Sequence, residues 1–377
     1  MNGAPRTLFV SAGDTSGDHH GARLVEELRA RWPAARFIGF GGDALRAAGV
    51  ELLEPLADHP VMGFAPVLAQ IGRFVRLLNA ADRWFEQHRP DVLIPVDYPG
   101  FNVRLARLAR RHGVKVAYYI CPQYWGWAPW RAKRFATSID LGLTLLPFEA
   151  PFLARYGIAA RCVGHPLADR MADVPPAGAD ADALALLPGS RRREIDDLFP
   201  WQLRAAAALQ QRLGRPLRLV SAHPRAALRE QLRAMAQAAG LALDVRDQPL
   251  PQLLRECRAT LVTSGTATLE CALMRVPSVI VYHVNAFSKW AAGFILTSPW
   301  IGLPNLLAGH ELFPEYLSVD DPGAPLDADL AALWSDGASR DACLRELDAL
   351  RATVLVPGAA RHAAAAIAEL LEGPPTA

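Results

Sequence analysis

Two runs in the front half, Asp91–Val96 and Val114–Ile120, are apolar almost without interruption, and nothing else constrains the fold as tightly. A strand with one wet face alternates apolar and polar residues. A short continuous apolar run fits a strand covered on both faces, as in a parallel sheet between helical layers. Thr7–Ala12 and Arg36–Gly39 read as further strands, and Ala22–Trp32 carries a helical pattern. The alternation restarts at Ala183, with strand-like runs at Ala183–Leu187, Leu217–Ser221, Ala259–Thr263 and Ser278–Tyr282. Such alternation predicts an α/β chain of two doubly wound domains. Pro95 is an oddity, because a central strand needs the N–H that proline lacks.

A chain of 377 residues is long for a single core and suits two domains. The Pro/Gly/Ala/Asp-rich stretch Asp173–Asp182 reads as the linker, which sets the domains at 1–172 and 173–358. The C-terminal helix, within 359–377, is expected to join the first. A composition of 51% hydrophobic and 21% charged residues is that of a folded protein, and a net charge of +2 gives no reason to expect nucleic acid. Only Lys115, Lys133 and Lys289 among the 40 basic residues are lysines, so an arginine cluster such as 191–193 carries less weight here. Five scattered cysteines without CxxC spacing argue against a disulfide framework or a zinc site. The chain is expected to carry no signal peptide and no membrane span; the nearest apolar stretch, Ala291–Gly309, is broken by Pro299 and Pro304.

In open α/β sheets, ligands bind beyond the carboxyl ends of the strands, where helix N-termini present unpaired N–H groups. Four such tips stand out. Ala12–Gly21 holds three glycines, with Asp14 and Asp18 able to accept from sugar hydroxyls; a plain turn capped by Asp18 or Ser16 explains it equally. It is not GxGxxG, so a dinucleotide is not indicated. At Val96–Asn102 an apolar strand ends in Asp97 before a Pro-Gly turn, where partial burial would make the carboxylate a general base; a helix cap is the alternative. At Leu187–Arg191 the small turn of Gly189 and Ser190, with the Arg191 fork, suits phosphate, whereas Ser190 with Glu194 could be a loose cap. The fourth turn, Ser264, Gly265 and Thr266, leads to Glu270, which could accept from a ribose. Two phosphate-friendly turns in one domain suggest a diphosphate between them. In the apolar loop Gly302–Gly309, packing explains every residue except Asn305.

Two apolar surfaces are also open to more than one reading. Val67, Leu68, Ile71, Val75 and Leu78 recur at helical spacing near Arg73 and Arg76, fitting either a buried amphipathic helix or an interfacial one. Four aromatics within Tyr124–Trp130 fit core, or a lipid or sugar surface.

Taken in order, these residues resemble the lipid-A-disaccharide synthase family. The front half carries Ala-Gly-Asp-Thr-Ser-Gly-Asp (12–18), Val-Met-Gly-Phe (61–64), Val-Asp-Tyr-Pro-Gly-Phe-Asn (96–102), Leu-Pro-Phe-Glu (146–149) and Val-Gly-His-Pro-Leu-Ala-Asp (163–169). The back half carries Leu-Leu-Pro-Gly-Ser-Arg (186–191), Ser-Gly-Thr-Ala-Thr-Leu-Glu (264–270) and Leu-Pro-Asn-Leu-Leu-Ala-Gly (303–309). The resemblance implies a GT-B fold, two Rossmann-like domains facing a cleft. It implies an inverting, metal-free condensation of UDP-2,3-diacylglucosamine with 2,3-diacylglucosamine 1-phosphate, without cofactor. It also implies a cytoplasmic enzyme peripheral on the inner membrane of Gram-negative bacteria, often a homodimer, with the 62–78 helix facing the membrane. Asp97 matches the family's essential carboxylate and Asp14 stands with it; Ser16, Asp18 and His20 fall to the acceptor, and Gly189, Ser190, Arg191, Ser264, Gly265, Thr266, Glu270 and Asn305 to the UDP donor. The chain departs from the family at Asp14, where Glu is usual, at Gly100, where Asp is usual, and in its aromatic segment Gln-Tyr-Trp-Gly-Trp. Other open readings are another GT-B enzyme, such as a UDP-sugar 2-epimerase or a transferase with a different lipid acceptor, or a non-catalytic nucleotide-sugar- or lipid-binding protein.

Overall fold

The computed structural model describes residues 6–56, 66–286, 289–290 and 297–373, with backbone only for 66–71. The chain divides into two compact units, 1–166 with 357–377, and 167–356.

Unit 1 runs β1 (Thr7–Ala12), α1 (Thr15–Arg31), β2 (Arg36–Gly41), α2 (Asp43–Ala47), β3 (Glu51–Pro55), α3 (Pro66–His88) and β4 (Val92–Val96). It continues with α4 (Pro99–Arg111), β5 (Lys115–Tyr119), α5 (Tyr124–Trp127), α6 (Trp130–Ala136), β6 (Leu141–Thr144), α7 (Glu149–Ala154) and β7 (Ala160–Cys162). Its seven strands lie in the order β3-β2-β1-β4-β5-β6-β7, all parallel. Alternate residues feed two cores. Phe9, Leu93, Val116 and Tyr118 pack with residues of α3 and α4, while Leu8, Val10, Val92 and Ile94 pack with α1. Burial on both faces is why β4 and β5 read as unbroken apolar runs. Pro95 sits in central β4, and the β4–β5 ladder lapses there: Leu93 pairs with Val116 and Val96 with Tyr119, with no bridge between. The register is kept while the missing N–H goes unused.

After α8 (Pro166–Met171), unit 2 runs β8 (Ala183–Leu187), α9 (Arg192–Leu213), β9 (Arg218–Ala222), α10 (Ala226–Ala238), β10 (Leu243–Arg246), α11 (Leu250–Leu254), β11 (Cys257–Val262) and α12 (Thr266–Leu273). Then come β12 (Ser278–His283), α13 (Leu303–Ala308), β13 (Glu315–Ser318), α14 (Ala324–Trp334) and α15 (Ala338–Val354). The sheet order is β10-β9-β8-β11-β12-β13, again parallel. In both units the order reverses beside the first strand, between β1 and β4 and between β8 and β11. These are the topological switch points at which doubly wound sheets open a crevice.

The stretch expected to link the domains is packed instead. Val174 and Ala177 lie against the unit 2 core and Ala177 N–H donates to Met274 O at 2.9 Å, so the division falls at 166/167 rather than 172/173. The final helix, α16 (Ala359–Glu372), belongs to unit 1, burying Ala363 and Ile367 in the α1-side core. Its end is pinned by Trp32 Nε1, which donates to Glu372 at 2.9 Å. One stretch, 338–372, has the length and apolarity of a membrane span, contrary to expectation, but it is two helices broken at 355–358. All five cysteines are free. Residues 61–64, and 291–296 of the apolar stretch, lie outside the described residues.

Candidate active site

In unit 1 the switch point is built around Asp97, the first residue past β4. Asp97 and Tyr98 both sit in the left-handed region, at φ 46° and 49°. Non-glycine residues rarely adopt it, and two in succession cost free energy that the surroundings must supply. Buried Asn102, on α4, supplies much of it: its Nδ2 donates to Asp97 O at 2.9 Å, Val96 O at 3.1 Å and Ser11 O at 3.1 Å, and its Oδ1 accepts from Ser11 Oγ at 2.7 Å. Tyr118 OH donates to Asp97 O at 2.7 Å, and Asp97 N–H donates to Tyr119 O at 2.9 Å. The Tyr98 ring lies against Gly13, where a Cβ would come within 2.0 Å of it, so this glycine is needed for close approach. These bonds hold the main chain of Asp97 in its strained turn at the end of the ladder. Burial, then the neighbouring Asp14 carboxylate, push it up to about 6, against a pull from the Tyr98 N–H.

The other carboxylates of the first turn do different work. Asp14 caps α1, accepting from Gly17 N–H at 2.6 Å. Asp18 is buried and accepts from Gly42, Ala44 and Leu45 N–H at 2.7, 2.8 and 3.3 Å. The expectation that it lines an acceptor site is corrected: it holds the N-terminus of α2, and neither it nor Ser16 is the α1 cap. Ser16 is exposed on the first turn and His20 is half-buried one turn on. Near His20 lies His165, pushed down to about 4 by burial and then by His20, so it is neutral at physiological pH.

In unit 2 the predicted turns do come together. Gly189, Ser190, Arg191, Ser264, Gly265 and Thr266 line one cavity of about 500 Å³ at the β8–β11 switch point. Gly189 and Gly265 have φ of 117° and 142°, conformations open to glycine alone at low cost. Thr263 Oγ1 lines the cavity, buried and without a hydrogen-bond partner among the described residues, so a ligand can satisfy it. One expectation is corrected. The Ser190 and Arg191 N–H groups donate to Glu194 Oε2 at 2.9 and 3.2 Å, so Glu194 occupies the amides assigned to an anion, and Arg191 caps α9 with an exposed guanidinium 3.3 Å from Glu194.

Glu270 is buried, with its carboxyl raised by burial and Arg170 3.8 Å away opposing the rise. Asn305 is fully buried. Its Oδ1 accepts from Leu312 and Phe313 N–H at 3.0 and 2.8 Å, and its Nδ2 donates to Phe313 O at 2.8 Å and Glu315 at 3.0 Å. The expectation that it holds the nucleotide is corrected: it closes the loop after α13.

Sequence reasoning missed His223, Asn102 and Tyr118. His223 lines the unit 2 cavity just past β9; its Nδ1 accepts from Arg225 N–H at 3.0 Å, so Nε2 carries the proton and faces Ser190 O at 3.3 Å. Its place past a strand's carboxyl end was the available signal. For Tyr118 there was none, since an apolar strand hides one useful hydroxyl. Of the expected membrane-facing residues, Val75 is exposed and Leu78 half-buried, while the side chains of Val67, Leu68 and Ile71 lie outside the described residues.

A family profile described as lipid-A-disaccharide synthetase matches residues 8–352. The lipid-A-disaccharide synthase of Myxococcus xanthus is 37% identical over 381 residues, covering 98% of this chain and 99% of its own. That of Geobacter sulfurreducens is 35% identical, covering 97% of each. Among solved structures, a kitacinnamycin glycotransferase superposes with TM-score 0.61 at 18% identity (97% and 99% covered), and a putative UDP-N-acetylglucosamine 2-epimerase from Listeria monocytogenes with 0.60 at 13% (98% of each). These distant likenesses show the fold, GT-B, with each unit Rossmann-like. The sequence identities, sustained over nearly the whole length, show more: the chain belongs to the lipid-A-disaccharide synthase family.

Proposed function

We propose that the protein is a UDP-sugar-dependent glycosyltransferase. It condenses UDP-2,3-diacylglucosamine with 2,3-diacylglucosamine 1-phosphate, giving the β-1,6-linked disaccharide 1-phosphate and UDP. The O–H bond of the acceptor's 6-hydroxyl breaks as its oxygen bonds to the donor's anomeric carbon with inversion. The bond from that carbon to the diphosphate oxygen breaks, UDP departs with the electron pair, and Asp97 takes the proton. A carboxylate near 6 is mostly ionised at neutral pH yet basic enough to share a proton in the transition state.

That aspartate, just past β4 in a strained turn and raised to about 6 by burial and Asp14, is the observation that carries the reading. Asp14 tunes it through charge, and Ser16 and His20 serve the acceptor. Leaving-group charge is met by Arg191, the Ser264–Thr266 turn and the Thr263 hydroxyl, with Glu270 toward the ribose. On the family likeness the protein works at the cytoplasmic face of the inner membrane, as a homodimer. UDP release from the acylated donor, with and without acceptor, tests the reaction, and mass spectrometry identifies the product. An Asp97→Asn protein that folds and still turns over at the wild-type rate overturns the assignment.

A further inference from the structure

Unit 2 carries a second cavity, of about 320 Å³, near the low end of small-ligand sites, which run from about 300 to 1,000 Å³. It opens where the tip of β12 meets the first two turns of α9. His283 and Asn285 line it from one side, Arg193 and Asp197 from the other. One wall is shared: Arg191 and Glu194 line both this cavity and the one that holds the Gly189 and Ser264 turns. The two hollows therefore adjoin across the start of α9.

They differ in chemistry. The first is lined also by Leu232 and Leu250, which suit a flat base, and its turns suit a diphosphate. The second is polar, and Leu198 and Val284 are the aliphatic residues among those that line it. Asp197 lies 3.6 Å from Arg193 Nε and 3.3 Å from His283 Nδ1, and the Trp201 ring meets His283 edge-on with centres 5.5 Å apart. An imidazole held at one nitrogen and packed against an indole has few orientations left. Nε2 is then the nitrogen that remains for a ligand.

Fixed donors and acceptors with little apolar wall are what sugar hydroxyls require, since each can both give and take a hydrogen bond. Such a cavity does not suit an acyl chain, and two carboxylates in its lining repel a bare phosphate. A nucleoside diphosphate sugar has the order base, diphosphate, sugar, and the adjoining cavities offer the same order. We infer that the cavity at the β12 tip receives the hexosamine ring of the donor by its free hydroxyl edge, with His283 binding that edge and Asp197 orienting His283. Arg191 then stands at the border, beside the bond that breaks. The inference rests on the UDP-sugar reading of unit 2, but it concerns what the sugar, rather than the nucleotide, adds to binding.

The test is calorimetry with UDP and with UDP-N-acetylglucosamine, a soluble probe that carries the same hydroxyl edge. His283→Ala should weaken the sugar nucleotide about tenfold, near the upper end for one neutral hydrogen bond, and leave UDP within about twofold. His283→Gln, which keeps a polar group of similar reach, should recover most of that loss. In turnover of the acylated donor, KM should rise about tenfold in His283→Ala with kcat held within about threefold, as when binding is lost equally from ground and transition states. Asn285→Ala, at the exposed rim, gives a second route if His283→Ala melts early; it should weaken the sugar nucleotide severalfold without moving UDP. Equal losses for both ligands in a folded His283→Ala protein overturn the inference, because they put His283 with the nucleotide. Unchanged affinity for both overturns it as well. Wild type that releases UDP from the acylated donor, while His283→Ala keeps the same KM, defeats this inference and leaves the transferase reading. A loss confined to the sugar nucleotide, in a protein whose wild type never releases UDP, defeats the transferase reading and leaves the sugar site standing.

Discussion

The tips of β4 and β8 lie on opposite sides of the reversal in their sheets, β8 being the first strand of its unit and β4 the strand across from the first, and each is followed by an acidic side chain at the start of a helix. They use that acid in opposite ways. Glu194 folds back onto the Ser190 and Arg191 amides and is satisfied within its own turn. At β4 the main chain is fastened by Asn102 and Tyr118 through the Asp97 carbonyl, which leaves the carboxylate poorly solvated beside Asp14. A carboxylate spent on the amides of its own turn builds a loop, while one that burial and a like charge hold near 6 suits the general base proposed for it. Asp18 and Asn305 fall with Glu194, each spending its polar atoms on backbone groups.

The largest effect that can break this contrast is on turnover. Asp97→Asn should lower kcat on the order of a thousandfold, the span of general-base contributions, while the far-UV spectrum is kept. The same change should raise the melting temperature at pH 7.5. The folded carboxyl titrates near 6 against 3.8 for a free one, so the folded state binds more protons between those values and loses stability as pH rises through that window. Asparagine removes the penalty, worth at most about 3 kcal/mol and less because the site is partly open to water. A drop in melting temperature would show that the charge is stabilising and the contrast false.

The pH profile comes next. With Asp97 as base, kcat/KM should fall about tenfold per unit below pH 6 and level off above it. His165, held near 4, adds no limb between pH 5 and 8. A profile flat to pH 5 would assign the proton to another group. Asn102→Ala should then cost about 2–3 kcal/mol in urea melts by orphaning buried partners, and on the order of tenfold in kcat as the Asp97 turn relaxes. A stability loss with unchanged kcat would reduce Asn102 to packing. Smallest is Glu194→Gln, which keeps an acceptor for the turn but removes a negative charge from the cavity. UDP should bind a few-fold more tightly by calorimetry, and weaker binding would mean that Glu194 positions the turn for the diphosphate.

The position of Asp97 at a strand tip could be read before any coordinates because its cause is local: an apolar strand, an acid at its end, then Pro99-Gly100 to open a helix. The paired turns of unit 2 could be read for the same reason, since glycines and hydroxyls after a strand advertise a close backbone approach. Asp18 and Asn305 were misread because proximity to a tip says nothing about which way a side chain points. The partners that absorb them, the α2 amides and the 312–313 backbone with Glu315, lie outside their own turns. Tyr118 was invisible for a related reason. Its hydroxyl reaches Asp97 O only because β5 lies beside β4, and strand order is not written in any one strand.

Periodicity and burial preference are properties of short segments, so strands, helices and the positions where chemistry can sit were already present in the chain of residues. Which carboxylate is spent on a turn and which is left buried beside a like charge is a property of neighbours far apart in sequence, because a hydrogen bond spans about 3 Å in space whatever the separation along the chain. That allocation of donors, and with it the raised carboxyl of the proposed base, came only with folding.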